Sequence, residues 1–319
     1  MDDLKVLKEM RADAPEPGAE RLRTARCRLT EAAEGRRMPY RLGFRLVMAG
    51  ALAVAVAFAV VLVRGGGEAP GHLPPAGRLA NPAVVLEQAA LVAEKRPLGS
   101  APRSDQWQYR KYLTVQSDGK VNTFEEWIRY DGTQSAGHGD TGRLEVRRLK
   151  PDPGDDDLSP EQYREKLLRL PTNPAELLAQ VQGDRHWIDK PVEDPGGGED
   201  PGARAFRVLS VYLEQQAVMP PKLEAAIYRA LAKIPGARVE LDVRDAAGRP
   251  GVGVYHESGR NPISRHYLIL DPRTYRLLGN RMLHLRDEVL DGEILARAGS
   301  AHTTAELASG IVDQPGQTP

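Results

Sequence analysis

Cysteine is nearly absent from this sequence, since Cys27 is the only one among its 319 residues. Any folded domain after residue 27 must therefore hold together through its core, without disulfides. An excess of charge of one sign is absent as well, because 44 Lys and Arg residues balance 44 Asp and Glu residues. The chain as a whole thus offers no electrostatic basis for binding nucleic acid, and we predict no nucleic-acid partner.

Familiar catalytic motifs are also missing. The sequence has no H-E-x-x-H, no G-x-S-x-G, no P-loop and no G-x-G-x-x-G after a strand. Asp140-Thr141-Gly142 spells the aspartic-protease triplet, but that chemistry needs two carboxylates that share a proton, and the triplet occurs once. His138, His256 and His266 lack the regular spacing of a four-ligand zinc site. We therefore assign no catalytic residue, no cofactor and no metal ligand.

One long apolar run is present, Leu46–Val63, and it contains no charged, amide or hydroxyl side chain. About 18 residues at roughly 1.5 Å each nearly cover a hydrocarbon core on the order of 30 Å thick. A lone span of this length must be a helix, because the backbone has to satisfy its own hydrogen bonds in lipid. A buried core helix would be shorter, and a cleaved signal peptide would have a short charged region before it and an A-x-A-like site after it. The run therefore predicts a transmembrane signal anchor.

Basic residues flank this run unevenly, which predicts its orientation. Arg36, Arg37, Arg41 and Arg45 precede the run, whereas Arg64 stands nearly alone after it. Positive charge stays on the cytoplasmic side of a membrane. We expect a single-pass protein of the cell membrane whose N-terminus is cytoplasmic and whose large C-terminal domain is extracytoplasmic.

The predicted cytoplasmic tail, residues 1–45, has two short helical patterns. Leu4 and Leu7 share one face of the first, and Leu22 and Leu29 lie on the apolar stripe of the second. Helices this short are marginal on their own. One interpretation is a solvated tail whose arginines contact anionic headgroups of the lipid bilayer. The other is a docking element that folds against a cytoplasmic protein partner through those four leucines.

Small residues repeat within the apolar run, where Ala49, Ala53 and Ala57 fall at every fourth position. A face of this kind lets two membrane helices approach closely, so the pattern permits a homodimer. Alanine-rich spans also contain such a series by chance.

The chain after the run divides into a linker and one folded domain. Residues 64–80 are rich in Gly and Pro and predict a flexible linker, and residues 81–319 predict the extracytoplasmic domain. Capping residues or helical periodicity predict helices that begin near Asn81-Pro82, Ser159-Pro160, Asn173-Pro174, Ala205 and Pro220-Pro221.

Alternating residues between tight turns predict the strands of this domain, at 106–116, 121–130, 143–149, 239–285 in several pieces, and 303–312. Asp118-Gly119 predicts a type I′ hairpin turn, and Asp131-Gly132 opens a predicted glycine-rich loop. Tight turns imply an antiparallel meander rather than parallel crossovers. The predicted fold class is therefore α+β: one N-terminal transmembrane helix, then an extracytoplasmic antiparallel sheet with packed helices.

Four aromatic residues, Trp107, Tyr109, Trp127 and Tyr130, fall on the first predicted hairpin. Core or cross-strand packing explains such a group in most cases. The sharper alternative is that they line an apolar groove for a lipid or a peptide.

The sequence also resembles a known family through five features. These are its opening Met1–Leu4 and Met10–Pro15, the single span, and the blocks Ala230–Gly236, Asp245–Gly251 and Asp271–Gly279. The chain is similar in these to an uncharacterised family of actinobacterial single-pass membrane proteins, known mainly by a locus-style label and often encoded beside sigma factors of the extracytoplasmic-function type. The resemblance implies a cytoplasmic partner such as a sigma factor or its regulator, and it implies no catalytic residues. The sequence lacks the His-x-x-x-Cys-x-x-Cys zinc signature of many anti-sigma domains.

Two classes of function follow. The first is a membrane-anchored, non-enzymatic binding or signalling protein with a sensor-like outer domain. The second is an envelope lipid or peptide carrier, or an envelope hydrolase whose site is assembled from scattered residues. Convergence of a nucleophile, a base and a hydrogen-bond donor in one cleft would favour the hydrolase.

Overall fold

The computed structural model describes residues 77–139, 142–149, 158–183, 200–257, 262–290 and 293–319. Several predictions lie outside these residues: the tail with Leu4, Leu7, Leu22 and Leu29, the apolar run with Ala49, Ala53 and Ala57, and Asp140. Within the described residues, no helix combines the length and the apolar character needed to cross a membrane.

Five α-helices and one 3₁₀ turn are described, and proline occupies the first turn of every α-helix. They are α1 (Pro82–Glu94), α2 (Pro160–Arg169), α3 (Pro174–Gln182), α4 (Pro201–Leu213), the 3₁₀ turn Gln216–Val218, and α5 (Pro221–Lys233). Proline suits a helix start because its φ is fixed near the helical value and its missing N–H would be unpaired there anyway. Four of the helices are also capped at their N-terminal end, where a side chain accepts a hydrogen bond from a backbone N–H of the first turn. The capping residues are Asn81, Ser159, Asn173 and Asp200.

The strands form one large sheet and one small hairpin. The large sheet contains β1 (Arg78–Ala80), β2 (Trp107–Val115), β3 (Val121–Arg129), β4 (Gln134–His138), β5 (Leu144–Arg148), β6 (Ala237–Arg244), β7 (Pro250–His256), β8 (Ser264–Leu270), β9 (Leu277–His284) and β12 (Ala301–Val312). Their order is β1-β6-β7-β8-β9-β12-β2-β3-β4-β5, and every pairing is antiparallel. The small hairpin pairs β10 (Glu288–Leu290) with β11 (Glu293–Ala296). The predicted α+β class with an antiparallel sheet is confirmed.

Strand β12 joins the two halves of the large sheet. Its first residues pair with β9, and the rest pairs along the whole of β2, from Thr303 opposite Val115 to Val312 opposite Trp107. The early hairpins β2–β5 and the late meander β6–β9 therefore share one continuous sheet, which the sequence did not reveal.

The helices cover one face of this sheet, called here the helix face. The largest apolar cluster combines buried side chains of α1, α3, α4 and α5 with inward residues of the late meander, such as Val239, Val254 and Leu268. The opposite side is called the outer face. It carries two smaller clusters, one around Ile269 and one around Trp127.

Three local predictions differ from the structure. The Asp118-Gly119 turn is not type I′, because among these two residues only Gly119 has a positive φ, +84°, and the loop spans residues 116–120. The predicted glycine-rich loop after Gly132 contains β4, which pairs on both sides with β3 and β5. Residues 78–80, placed by prediction in the linker, form β1 at the edge of the sheet.

Candidate functional site

The structure brings together three of the four predicted aromatic residues. Trp107, Tyr109 and Trp127 are buried in one cluster on the outer face, together with Ala136 and Val312. The rings of Tyr109 and Trp127 lie 5.1 Å apart between their centroids. The fourth residue, Tyr130, is buried in the helix-face core instead.

Polar groups border this aromatic cluster at one side. The Tyr109 hydroxyl donates to Glu125 Oε1 at 2.8 Å, and Lys111 Nζ lies 3.1 Å from the same oxygen. His138 Nδ1 is 3.7 Å from the other oxygen of Glu125, and its ring meets the edge of Trp127. Burial alone would raise the pKa of Glu125, but the hydrogen bonds from Tyr109 and Lys111 hold it below its ordinary value. Glu125 therefore keeps its negative charge beside the aromatic rings.

Residues 313–319, called here the C-terminal segment, lie across the same cluster. The indole N–H of Trp127 donates to the backbone carbonyl of Gln317 at 2.7 Å. Asp313, at the base of the segment, accepts hydrogen bonds from Arg103 at 3.0 Å and from Gln106 at 2.9 Å. The aromatic side chains are thus covered by a short piece of exposed chain rather than by a helix or a strand.

A second group of charged side chains lies on the helix face of the same strands. Arg110 stands opposite Glu126 in the β2–β3 register, and its Nη2 is 3.7 Å from Glu306 Oε2 on β12. Glu214, at the end of α4, accepts from Asn280 Nδ2 at 2.9 Å. These residues are called here the arginine cluster, and they set three carboxylates around one guanidinium.

Burial changes the protonation of this cluster. It raises the pKa of Glu126, and it raises the pKa of Glu214 to about 7, although Arg110 opposes both shifts. Glu214 is therefore partly protonated at neutral pH. No local sequence pattern predicts this cluster, because its members come from β2, β3, α4, β9 and β12. The one available signal was the alternation of β2, which places Arg110 opposite the aromatic face.

Three histidines lie near one another where β8, β9 and β12 meet. In the strand register, His266 and His302 both stand opposite Met282, and His284 follows on the same strand face. Burial and the neighbouring His284 lower the pKa of His266 and of His302. Among the described residues, no group of three or more His, Cys, Asp or Glu side chains is arranged to hold a metal ion.

A small cavity lies between the loop after α1 and the 3₁₀ turn. Its volume is about 30 Å³, and its lining includes Leu98, Arg164 and Met219. This is room for a few water molecules, whereas ligand pockets are on the order of 300 to 1,000 Å³. The cavity is therefore too small for a lipid chain or a peptide.

Comparisons with known proteins add little. No protein-family model matches the chain, and no curated protein matches it. Among solved structures, a chain of the Pseudomonas aeruginosa MucA/MucB complex matches 75% of this chain and 59% of its own length, at 16% identity and a TM-score of 0.25. A similarity at this level supports neither a shared fold nor a shared function.

Proposed function

We propose that this chain is a membrane-anchored, non-enzymatic binding or signalling protein of the cell envelope. In this proposal residues 1–45 are cytoplasmic, residues 46–63 span the membrane once, and the α+β domain lies outside. The observation that carries it is the uninterrupted apolar run Leu46–Val63 with four arginines just before it and Arg64 just after it.

The distance between the run and the folded domain supports a role close to the membrane. The sheet begins at β1, and Gly77 already donates its N–H to Glu240 Oε1 at 3.1 Å. Only residues 64–76 then separate the span from the domain. A fully extended chain of that length reaches about 45 Å at most. The start of the domain would therefore lie within about 45 Å of the membrane surface.

The topology is tested by adding protease to intact spheroplasts. We expect digestion of the domain after Arg64 and protection of residues 1–45, detected by antibodies against each end. Spheroplasts lysed with detergent are the control, because both ends should then be digested. Protection of the C-terminal domain in intact spheroplasts would overturn the orientation.

For the cytoplasmic side we propose a protein partner, a sigma factor or its regulator. The support is the resemblance described above and the leucine stripe of the tail. A docking stripe depends on buried apolar contacts, and Leu→Ala changes at buried sites cost about 2 to 5 kcal/mol each. Even the lower figure weakens binding about thirtyfold. A tail that only contacts lipid depends on its arginines instead, at roughly 1 kcal/mol each and with screening by salt.

A crosslinking pulldown with the tail as bait separates these cases. Leu22→Ala with Leu29→Ala should lose the partner, which mass spectrometry must identify as a sigma factor or a known type of regulator. Replacing Arg36, Arg37 and Arg41 by Gln is the matched control and should retain it. Recovery of no specific protein with the unaltered tail would remove the signalling part of the proposal and leave the membrane anchor.

A further inference from the structure

One row of residues crosses five strands on the outer face. In the strand register, Gly310 of β12 stands opposite Tyr109, Tyr109 opposite Trp127, Trp127 opposite Ala136, and Ala136 opposite Val146 of β5. The rings of Tyr109 and Trp127 thus lie between Gly310 on one side and Ala136 on the other, with the edge strand β5 beyond Ala136. This set is called here the aromatic row. At its β5 end the apolar surface stays open, since Val146 is 49% exposed and its neighbour Leu144 is 37% exposed.

The C-terminal segment contacts this row at two places, Trp127 and Gly310. Pro315 and Gly316, the latter with φ +90°, reverse the chain in a type II turn, closed by the Gln317 N–H to Gln314 carbonyl bond of 3.3 Å. The segment then returns over the strands, and the Trp127 indole donates to the Gln317 carbonyl. Pro319 then packs against Gly310 of β12.

Pro319 can pack this closely because residue 310 is a glycine and has no side chain. A Cβ added at Gly310 would lie 2.7 Å from both Cβ and Cγ of Pro319, and its three nearest heavy atoms would all belong to Pro319. Glycine within a strand often marks a position where another backbone or a ligand approaches closely. Here the approaching group is a proline ring.

We infer that the aromatic row is a binding site for short peptide segments that contain proline, and that the C-terminal segment occupies it in this structure. The contacts are an indole N–H bound to a peptide carbonyl and a proline ring against Gly310, which stands opposite Tyr109 in the β12–β2 register. Aromatic-lined grooves are a common binding mode for segments that contain proline. Another peptide carries the same carbonyl and can carry the same ring. Because proline fixes φ, it loses little conformational freedom on binding.

Exchange of the segment for another peptide requires no opening of the core. All residues of the segment except Pro315 are exposed, and its attachment to Trp127 is one hydrogen bond. Leu144 already lies beside Gly316 of the segment, and the more exposed Val146 offers an apolar contact to a longer ligand. The inference goes beyond the proposed function and stands on the folded domain alone, so the membrane topology could fail without affecting it.

The test measures binding of a fluorescent peptide with the sequence of residues 312–319 to the full-length chain and to a chain that ends at Asp313. The shortened chain should bind the peptide at least tenfold more tightly, because in the full chain the attached segment competes at an effective concentration in the millimolar range. In the shortened chain, Trp127→Phe keeps a ring but removes the indole donor, and it should weaken binding about two- to tenfold. A peptide with Pro319→Ala should also bind less tightly.

One control variant and one further measurement complete the test. Tyr112→Phe changes an aromatic residue on the helix face of β2, the strand that carries Tyr109, and it should leave peptide binding unchanged. In the intact chain, millimolar peptide should shift the nuclear magnetic resonance signal of the Trp127 indole N–H, which the Trp127→Phe variant assigns. This second measurement does not depend on whether the shortened chain folds. Absence of that shift, or equal binding of a scrambled peptide without proline, would overturn the inference.

Discussion

Replacing Glu214 by Gln should stabilise the folded domain at alkaline pH and not at acidic pH. Glu214 is a buried carboxyl at the end of α4, and Asn280 Nδ2 donates to its Oε1 at 2.9 Å. A glutamine has nearly the same shape, and its amide oxygen can accept the same hydrogen bond. The substitution therefore removes the charge and little else.

The magnitude follows from the shifted pKa. Burial raises the pKa of Glu214 from the ordinary value of 4.5 to about 7. Between these two values the unfolded chain releases the proton while the folded chain keeps it, so the free energy of unfolding falls as the pH rises. The difference between a pKa of 4.5 and one of about 7 corresponds to about 3 kcal/mol of the free energy of unfolding, which is lost by pH 8. Glutamine has no such loss.

The assay is urea unfolding of the domain expressed from Gly77, at several pH values between 4.5 and 8. The difference in the free energy of unfolding between the Gln variant and the parent should grow by about 3 kcal/mol over this range. Glu126, His266 and His302 have shifted pKa values as well, but they are present in both proteins, and their own contributions largely cancel in the difference. Glu165→Gln, at an exposed ion pair on α2, is the matched control, with an expected change within about 0.5 kcal/mol. A pH-independent difference for Glu214→Gln would refute the reasoning.

Two further predictions concern the same domain. Expressed from Gly77, it should be a soluble monomer that unfolds cooperatively, and dithiothreitol should not shift its melting curve, because Cys27 lies outside it; a shift would contradict a disulfide-free core. Gly279→Ala should destabilise it by more than about 2 kcal/mol in chemical denaturation, since the added Cβ would lie 2.1 Å from the Thr304 carbonyl oxygen, where β9 meets β12. Gly99→Ala is the control and should be nearly neutral, because an added Cβ there has no heavy atom within 4 Å.

The helices could be predicted from the sequence because their signals are local. In α1 the helical spacing of Leu86, Ala89, Ala90 and Ala93 places them on one side, and all four are fully buried. The start at Ser159 was predicted by its capping box, in which Ser159 and Gln162 satisfy each other's backbone N–H groups. Each signal lies within a few residues of the element it specifies.

The order of the strands could not be predicted, because it depends on residues far apart in the chain. Nothing near Trp107 indicates that its strand pairs with Val312 rather than with another edge. The stretch that forms β4 is short and contains Gly137, so its local preference is that of a loop. Pairing on both sides outweighs that preference.

The candidate site was predictable only in part. Trp107, Tyr109 and Trp127 share a face because strand residues alternate, and Trp127 stands opposite Tyr109. The same alternation places Tyr130 on the other face, since it lies three residues after Trp127, so its predicted place in the aromatic group was wrong. The contact of Pro319 with Gly310 depends on the turn at residues 314–317 after β12, and the spacing of residues in the sequence does not predict it.

The central position of β12 has a consequence for how this protein is made. During synthesis β2 emerges long before β12, the strand that pairs with it, whereas β9 precedes β12 closely in the chain. Until then each half of the sheet has an unpaired edge that can join the edge of another molecule. Closing so long a loop is also slow compared with forming the local hairpins. Newly made molecules should therefore pass through a stage prone to aggregation, and chains shortened before Ala301 should remain in it, however well their helices form.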